Sequence, residues 1–127
     1  MKSNWKIAIA LVAGAAIGGA AIQGLHAQAK PPVYLVAEID VTNVDAYVKE
    51  YAPLAQASIK KAGGKLLAAS LKVVPIDGTP PKRVAIQVWD SLEQVKAWHD
   101  GADYQAARKV GDKYATFRTF AVEGMAK

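Results

Sequence analysis

The chain has 127 residues, no cysteine, two histidines and a formal net charge of +5. Disulfides, thiol nucleophiles and thiolate-bound zinc are excluded. A modest positive charge spread along a small protein keeps it soluble and is not the footprint of a nucleic-acid-binding domain.

The N-terminus comes first in chain order. Met1–Lys6 carries two lysines and no acid, Ile7–Ile22 is apolar and small, and Ala27-Gln28-Ala29 follows. This order predicts a signal peptide, residues 1–29, cleaved after Ala29, and hence an exported, periplasmic protein. The apolar run is 16 residues long, short of the roughly 20 that span a bilayer, so a retained anchor is the weaker alternative. No membrane association is expected after cleavage. Residues 30–127 then form a single small domain that would gain from oligomerisation. Its only histidine is His99, so a multi-histidine metal site would need two chains; neither a metal nor a cofactor is expected.

Lys30-Pro31-Pro32 reads as a short extended linker, and Val33–Asp40 as the first strand, with Val33, Leu35, Ala37 and Ile39 on one face. Thr42 or Asn43 is positioned to cap a helix. Val44, Tyr47, Val48, Tyr51, Leu54, Ala55, Ile59 and Ala62 recur at helical spacing as its buried stripe. Pro53 should kink that helix near Tyr51, and Gly63-Gly64 should end it. Lys65–Val74 is the expected second strand, with a bulge near Leu71. The run from Pro75 to Pro81 is a turn. Arg83–Trp89 is the third strand, with Val84, Ile86 and Val88 expected toward the core. Ser91-Leu92-Glu93-Gln94 has capping-box spacing, starting a helix to about Trp98. Gly101 breaks it, and a further helix follows over about Asp103–Lys113, with Tyr104, Ala107 and Arg108 on one side. Thr116–Val122 is the last strand.

The order β-α-β-β-α-β predicts an α+β ferredoxin-like fold, an antiparallel sheet with its helices on one face. The opposite face, expected to carry Tyr34, Val36, Glu38, Arg83, Gln87 and Trp89, is too apolar for open water and too polar for a dry core. A second copy packed sheet on sheet would cover it, giving a homodimer whose polar members line a cavity or the seam.

Several stretches carry a family likeness. They are Tyr34 to Asp40, Tyr47 and Tyr51 around Val48, Gly63-Gly64, and Asp77-Gly78 with Pro80 to Val84. Trp98, Asp103-Tyr104 and Val122-Glu123-Gly124 complete the set. In their order and spacing they make the chain resemble the family catalogued as domain of unknown function 1330. The resemblance implies a dimeric α+β barrel of ferredoxin-like type and no known reaction. It also marks two departures. Gly111 stands where relatives usually carry arginine, with Arg108 one helical turn earlier, and Asp77 stands where they usually carry glutamate.

Three side chains are candidates for chemistry. His99 is a candidate general base, as in cofactor-independent oxygenases of this barrel architecture, or else a surface histidine at a helix C-terminus. Arg83 is a candidate carboxylate or phosphate anchor, or else a partner for Asp77, Glu38 or a dimer mate. Glu38 inside a barrel would have a perturbed pKa. The candidate ligand-binding set is Tyr34, Glu38, Tyr51, Arg83, Trp98, Tyr104 and Arg108, with the aromatic members serving as core and cavity wall. The leading reading is an exported dimeric barrel that binds a small, partly apolar molecule. The alternatives are a cofactor-independent monooxygenase- or isomerase-like enzyme, and a structural dimer without ligand.

Overall fold

The protein is described by a computed structural model over residues 30–126. The expected signal peptide and its cleavage site lie outside the described residues. The elements run β1 (Val33–Val41), α1, β2 (Lys65–Ser70), β3 (Arg83–Trp89), α2 (Leu92–Asp100), α3 (Ala102–Gly111) and β4 (Ala115–Glu123). They form one antiparallel sheet of order β2-β3-β1-β4. This is the ferredoxin-like α+β arrangement expected from the element order, and it occupies a compact unit, Pro32–Gly124. Among the described residues outside that unit, Lys30, Pro31, Met125 and Ala126 carry no helix or strand.

Helix α1 is built in three pieces: Val44–Ala46, a π-helical turn Tyr47–Tyr51, and an α-helix Ala52–Ala62. Asn43, one of the two expected caps, accepts the Ala46 N–H on its side chain at 3.1 Å. The π turn has a local cause. Pro53 has no N–H to donate to the carbonyl one turn back, and its ring crowds that carbonyl. The turn widens instead, and the Ala52 N–H reaches the Tyr47 carbonyl. The perturbation expected from Pro53 therefore appears as a wide turn. The buried stripe is narrower than the sequence suggests: Tyr47, Tyr51, Ala55, Ser58 and Ile59 are buried, whereas Val44, Val48 and Leu54 are exposed. Gly63, in the left-handed region at φ +96°, closes the helix with its N–H on the Ile59 and Lys60 carbonyls.

Two strands differ from expectation. β2 stops at Ser70, and its register slips between Leu66 and Ala68, earlier than the expected bulge at Leu71. The more consequential difference is the phase of β3. Val33 pairs with Trp89, Leu35 with Gln87, Ala37 with Ala85 and Ile39 with Arg83. Directly opposed residues share a face, so Arg83, Ala85, Gln87 and Trp89 point toward the helices with the buried side of β1. Val84, Ile86 and Val88 pair with Glu38, Val36 and Tyr34 on the open face instead. Arg83, Gln87 and Trp89 thus do not belong to the open face, and Val84, Ile86 and Val88 do not belong to the core.

Packing supplies the reason. Trp89 is 2% exposed, stacked 5.3 Å from the Trp98 ring, with its indole N–H on Gln87 Oε1 at 2.8 Å. Facing inward, the indole gains an aromatic partner on α2 and an acceptor on its own strand face, both of which the other phase would withhold. The capping box at α2 is present in modified form. Ser91 Oγ accepts the Gln94 N–H at 3.1 Å, Gln94 Oε1 accepts the Asp90 N–H, and Gln94 Nε2 donates to the Ala62 carbonyl. That side chain stitches the start of α2 to the end of α1. The C-cap Gly101 separates α2 from α3 as expected.

Candidate functional site

The inner face of the sheet and the three helices enclose a cavity. About 40 Å³ of it admits the centre of a water-sized sphere, within about 540 Å³ of unfilled space that continues to its mouth. Such a volume holds roughly two or three waters as it stands. β1 and β3 supply its floor. α1 supplies Tyr47, Tyr51 and the exposed Gln56, and the α2–α3 region supplies Trp98, His99 and Tyr104. Phe117 and Thr119 close the β4 side.

The walls are aromatic and mutually braced. Tyr51 and Tyr104 share a buried hydroxyl–hydroxyl hydrogen bond of 2.7 Å. Tyr47 and Tyr51 lie 4.9 Å apart, Tyr104 and Trp98 4.3 Å, and Tyr104 and His99 5.5 Å, measured between ring centres. Trp98 Nε1 donates to Ser58 Oγ at 2.9 Å, and that hydroxyl donates to the Ala55 carbonyl, so the indole is held against α1. Burial pushes the Tyr51 hydroxyl far above its ordinary pKa, reinforced by the neighbouring Tyr104. Tyr47 is also raised by burial, with the Arg83 charge opposing. Both phenols therefore stay neutral and serve as walls and hydrogen-bonding groups rather than as bases.

Arg83 enters from the first position of β3, its guanidinium 5.2 Å from the centre of the Tyr47 ring. Its Nε is buried without a hydrogen-bond partner, and none of the ion pairs among the described residues involves it. None of the residues lining the cavity is an aspartate or glutamate. His99, half-buried at the end of α2, contacts Asp100 through Nδ1 at 3.0 Å.

Of the side chains singled out from sequence, Tyr51, Arg83, Trp98, Tyr104 and His99 line this one cavity. Tyr34 and Glu38 do not; they lie on the opposite face of β1, where Glu38 accepts a hydrogen bond from Arg118 on β4. That pairing replaces the Glu38–Arg83 pair considered above. Arg108 is not among the lining residues either. Its guanidinium lies 4.1 Å over the Phe117 ring and donates to Asp112 at 2.8 Å.

The absence of arginine at position 111 has a steric counterpart. A Cβ there would stand 2.6 and 2.8 Å from the Tyr51 ring and 3.1 Å from Phe117, so Tyr51 occupies the space a side chain would need. Sequence reasoning missed Tyr47 and Phe117 as wall residues, and it put Gln87 on the opposite sheet face. For Gln87 the signal was present: a glutamine two residues before a strand tryptophan is an acceptor for its indole. Among the described residues no group of three or more histidines or acids could hold a metal ion, and no helix is long and apolar enough to cross a membrane.

The family model described as "Domain of unknown function (DUF1330)" matches residues 32–125. The chain belongs to the DUF1330 family. No curated protein matches the chain. Among solved structures, this DUF1330 chain is similar to the RPA0582 protein of unknown function from Rhodopseudomonas palustris. The TM-score is 0.64 at 13% identity, over 77% of this chain and 85% of that one. It is similar to SnoaB, a cofactor-independent oxygenase from Streptomyces nogalater, at TM-score 0.58 and 13% identity, over 76% and 96%. A dimeric protein of unknown function and ferredoxin-like fold from Bacteroides fragilis matches at 0.52 and 13%, over 72% and 95%. At these identities the likeness is one of fold.

Proposed function

We propose that this DUF1330 protein is an exported homodimer that binds a small, partly apolar molecule in the cavity between its sheet and helices. The observation that carries the reading is the cavity itself: an aromatic box with a mouth, into which Arg83 projects with its Nε buried and unbonded. Ligand sites in general combine such apolar walls with a few convergent polar groups. The dimer is supported by the open sheet face, where Tyr34, Val36, Val84, Ile86 and Val88 lie together beside the exposed Phe120 and Val122. A contiguous apolar face of this kind favours a covering layer, and the dimeric Bacteroides fragilis protein has the same fold. Export is supported by the leader, Met1–Ala29.

Native mass spectrometry of protein recovered from the periplasm is the direct test. The expected species is a dimer of chains beginning at Lys30, carrying a small organic ligand that dissociates on activation. Ligand-free chains that also fail to change Trp89 and Trp98 fluorescence with any small aromatic probe would refute binding.

A second reading is catalytic, a cofactor-independent oxygenase or isomerase. It is favoured by one contact: donation from His99 Nδ1 to Asp100 leaves Nε2 as a base on a residue bordering the cavity. Oxygen uptake with a naphthohydroquinone probe, lost in His99→Gln, would support it. Equal uptake by both proteins would rule it out.

A further inference from the structure

We propose that the ligand is an aromatic monocarboxylate, held with its carboxylate on Arg83 and its ring against the wall formed by the tyrosines and Trp98. This rests on the binding reading above and narrows it to a chemical class.

Arg83 brings five N–H donors and no acceptor. Its contact with Tyr47 is with the ring, 5.2 Å to the centre, and with the hydroxyl, whose burial-raised pKa the guanidinium opposes by charge and hydrogen bonding; neither contact supplies an acceptor to Nε. Its Nε is shielded from water and unbonded, a costly arrangement unless something accepts from it. Gln87 lies four residues further along the same strand face, about 13 Å away at strand spacing. Its Oε1 is taken by Trp89 Nε1, which turns its Nε2 donors away from the indole. Nε2 has no acceptor among the described residues. The Arg83 end of the cavity therefore carries a positive charge and an unmet donor, and Gln87 adds a free donor further along the floor. The lining offers no carboxylate to balance that charge.

That pattern selects the ligand. A cation is excluded by Arg83 and by the missing acid. A phosphate dianion would be expected to meet more than one cation, and Arg83 is the only arginine or lysine in the lining. A single carboxylate matches one guanidinium in charge and geometry. The remainder of the wall, Tyr47, Tyr51, Trp98, Tyr104 and Phe117, is a set of ring faces and edges. Such a wall favours edge and face contact with a planar ring over a flexible chain, which would lose more rotamer freedom on binding.

The test compares benzoate with its neutral isostere benzamide, read by calorimetry and by quenching of Trp98. The purified protein should bind benzoate at least tenfold more tightly than benzamide, with the preference shrinking as salt is raised. Arg83→Leu should abolish that preference, the benzoate affinity falling at least tenfold to the level of benzamide or below, and Arg83→Lys should restore part of it. Equal affinities for the two probes in the unsubstituted protein would overturn the carboxylate assignment while leaving the cavity as a binding site. A preference that survives Arg83→Leu would overturn the role of Arg83. If a folded protein binds neither probe at millimolar concentration, this assignment and the binding reading beneath it both fail. The comparison of probes in the unsubstituted protein does not depend on any variant folding.

Discussion

The hydroxyl pair between Tyr51 and Tyr104 allows a quantitative test of how the cavity wall is held. The two oxygens are 2.7 Å apart and the residues are 6% and 4% exposed, with their rings edge to face at 6.4 Å. Tyr51→Phe removes one oxygen and leaves the Tyr104 hydroxyl buried without that partner, and Tyr104→Phe does the converse. An orphaned buried hydroxyl costs about 1–3 kcal/mol, and a domain of this size loses roughly 4–8 °C of Tm per kcal/mol. Each single variant should therefore melt about 5–15 °C below the parent, with an unchanged m-value in urea. The double variant removes donor and acceptor together and leaves two rings of the same shape, so it should recover most of the loss. The coupling in the double-mutant cycle should therefore be favourable and approach the sum of the two single costs, about 2 kcal/mol or more. Urea unfolding followed by far-UV circular dichroism measures all four proteins. Single costs below about 0.3 kcal/mol, or costs that simply add in the double variant, would show that each hydroxyl is separately hydrated from the cavity, and the braced wall would be wrong.

The same pair predicts alkaline behaviour. Because burial raises the Tyr51 pKa above its unfolded value of 10.0, its contribution to stability is complete below about pH 10 and is lost as pH rises beyond it. Denaturant midpoints measured from pH 8 to pH 11 should fall at the alkaline end, and less so in Tyr51→Phe; equal slopes would remove Tyr51 as the cause. Restoring the family residue by Gly111→Arg should destabilise the fold by about 1–3 kcal/mol through overpacking against Tyr51 and Phe117, read as a lower urea midpoint. An unchanged midpoint would mean that Tyr51 moves freely. On the open face, Ile86→Glu should convert the dimer to a monomer by light scattering with its circular dichroism intact. A monomeric parent would reject the sheet-on-sheet dimer.

Element order, the Asn43 cap, the Gly63 stop, the Pro53 perturbation and the Gly101 break were all legible in the residues, because each depends on local backbone chemistry. The phase of β3 was not. Arg83 to Trp89 alternates Arg, Ala, Gln and Trp with Val, Ile and Val, and hydrophobicity alone puts the aliphatic set inside. Two long-range facts decide otherwise: the opposite sheet face is itself an apolar surface, and Trp89 has its acceptor on Gln87 and its stacking partner on α2. A strand with two tolerable faces is fixed by what lies across from each, and that information sits in α2 and β4. The extent of α1 burial failed for a similar reason. Val44, Val48 and Leu54 carry the right spacing, but the helix meets the sheet only along the line of Tyr47, Tyr51, Ala55 and Ile59.

The phase of β3 also sorts the functional groups. In the sequence reading, Glu38, Arg83 and Gln87 sat together on the open face, so one seam had to serve both as dimer interface and as ligand site. With β3 in its observed phase the two tasks separate by face. Glu38 is neutralised by Arg118, and its companions Val36, Val84, Ile86 and Val88 leave that face mostly aliphatic, as a buried protein–protein seam requires. Arg83 and Gln87 are carried inward, where their donors face aromatic walls. On the proposed function, neighbours in sequence answer to different partners: Ile86 to a second copy of the chain and Gln87 to the occupant of the cavity. Ile86→Glu and Arg83→Leu are accordingly expected to fail in different assays, the first in assembly and the second in selection between benzoate and benzamide.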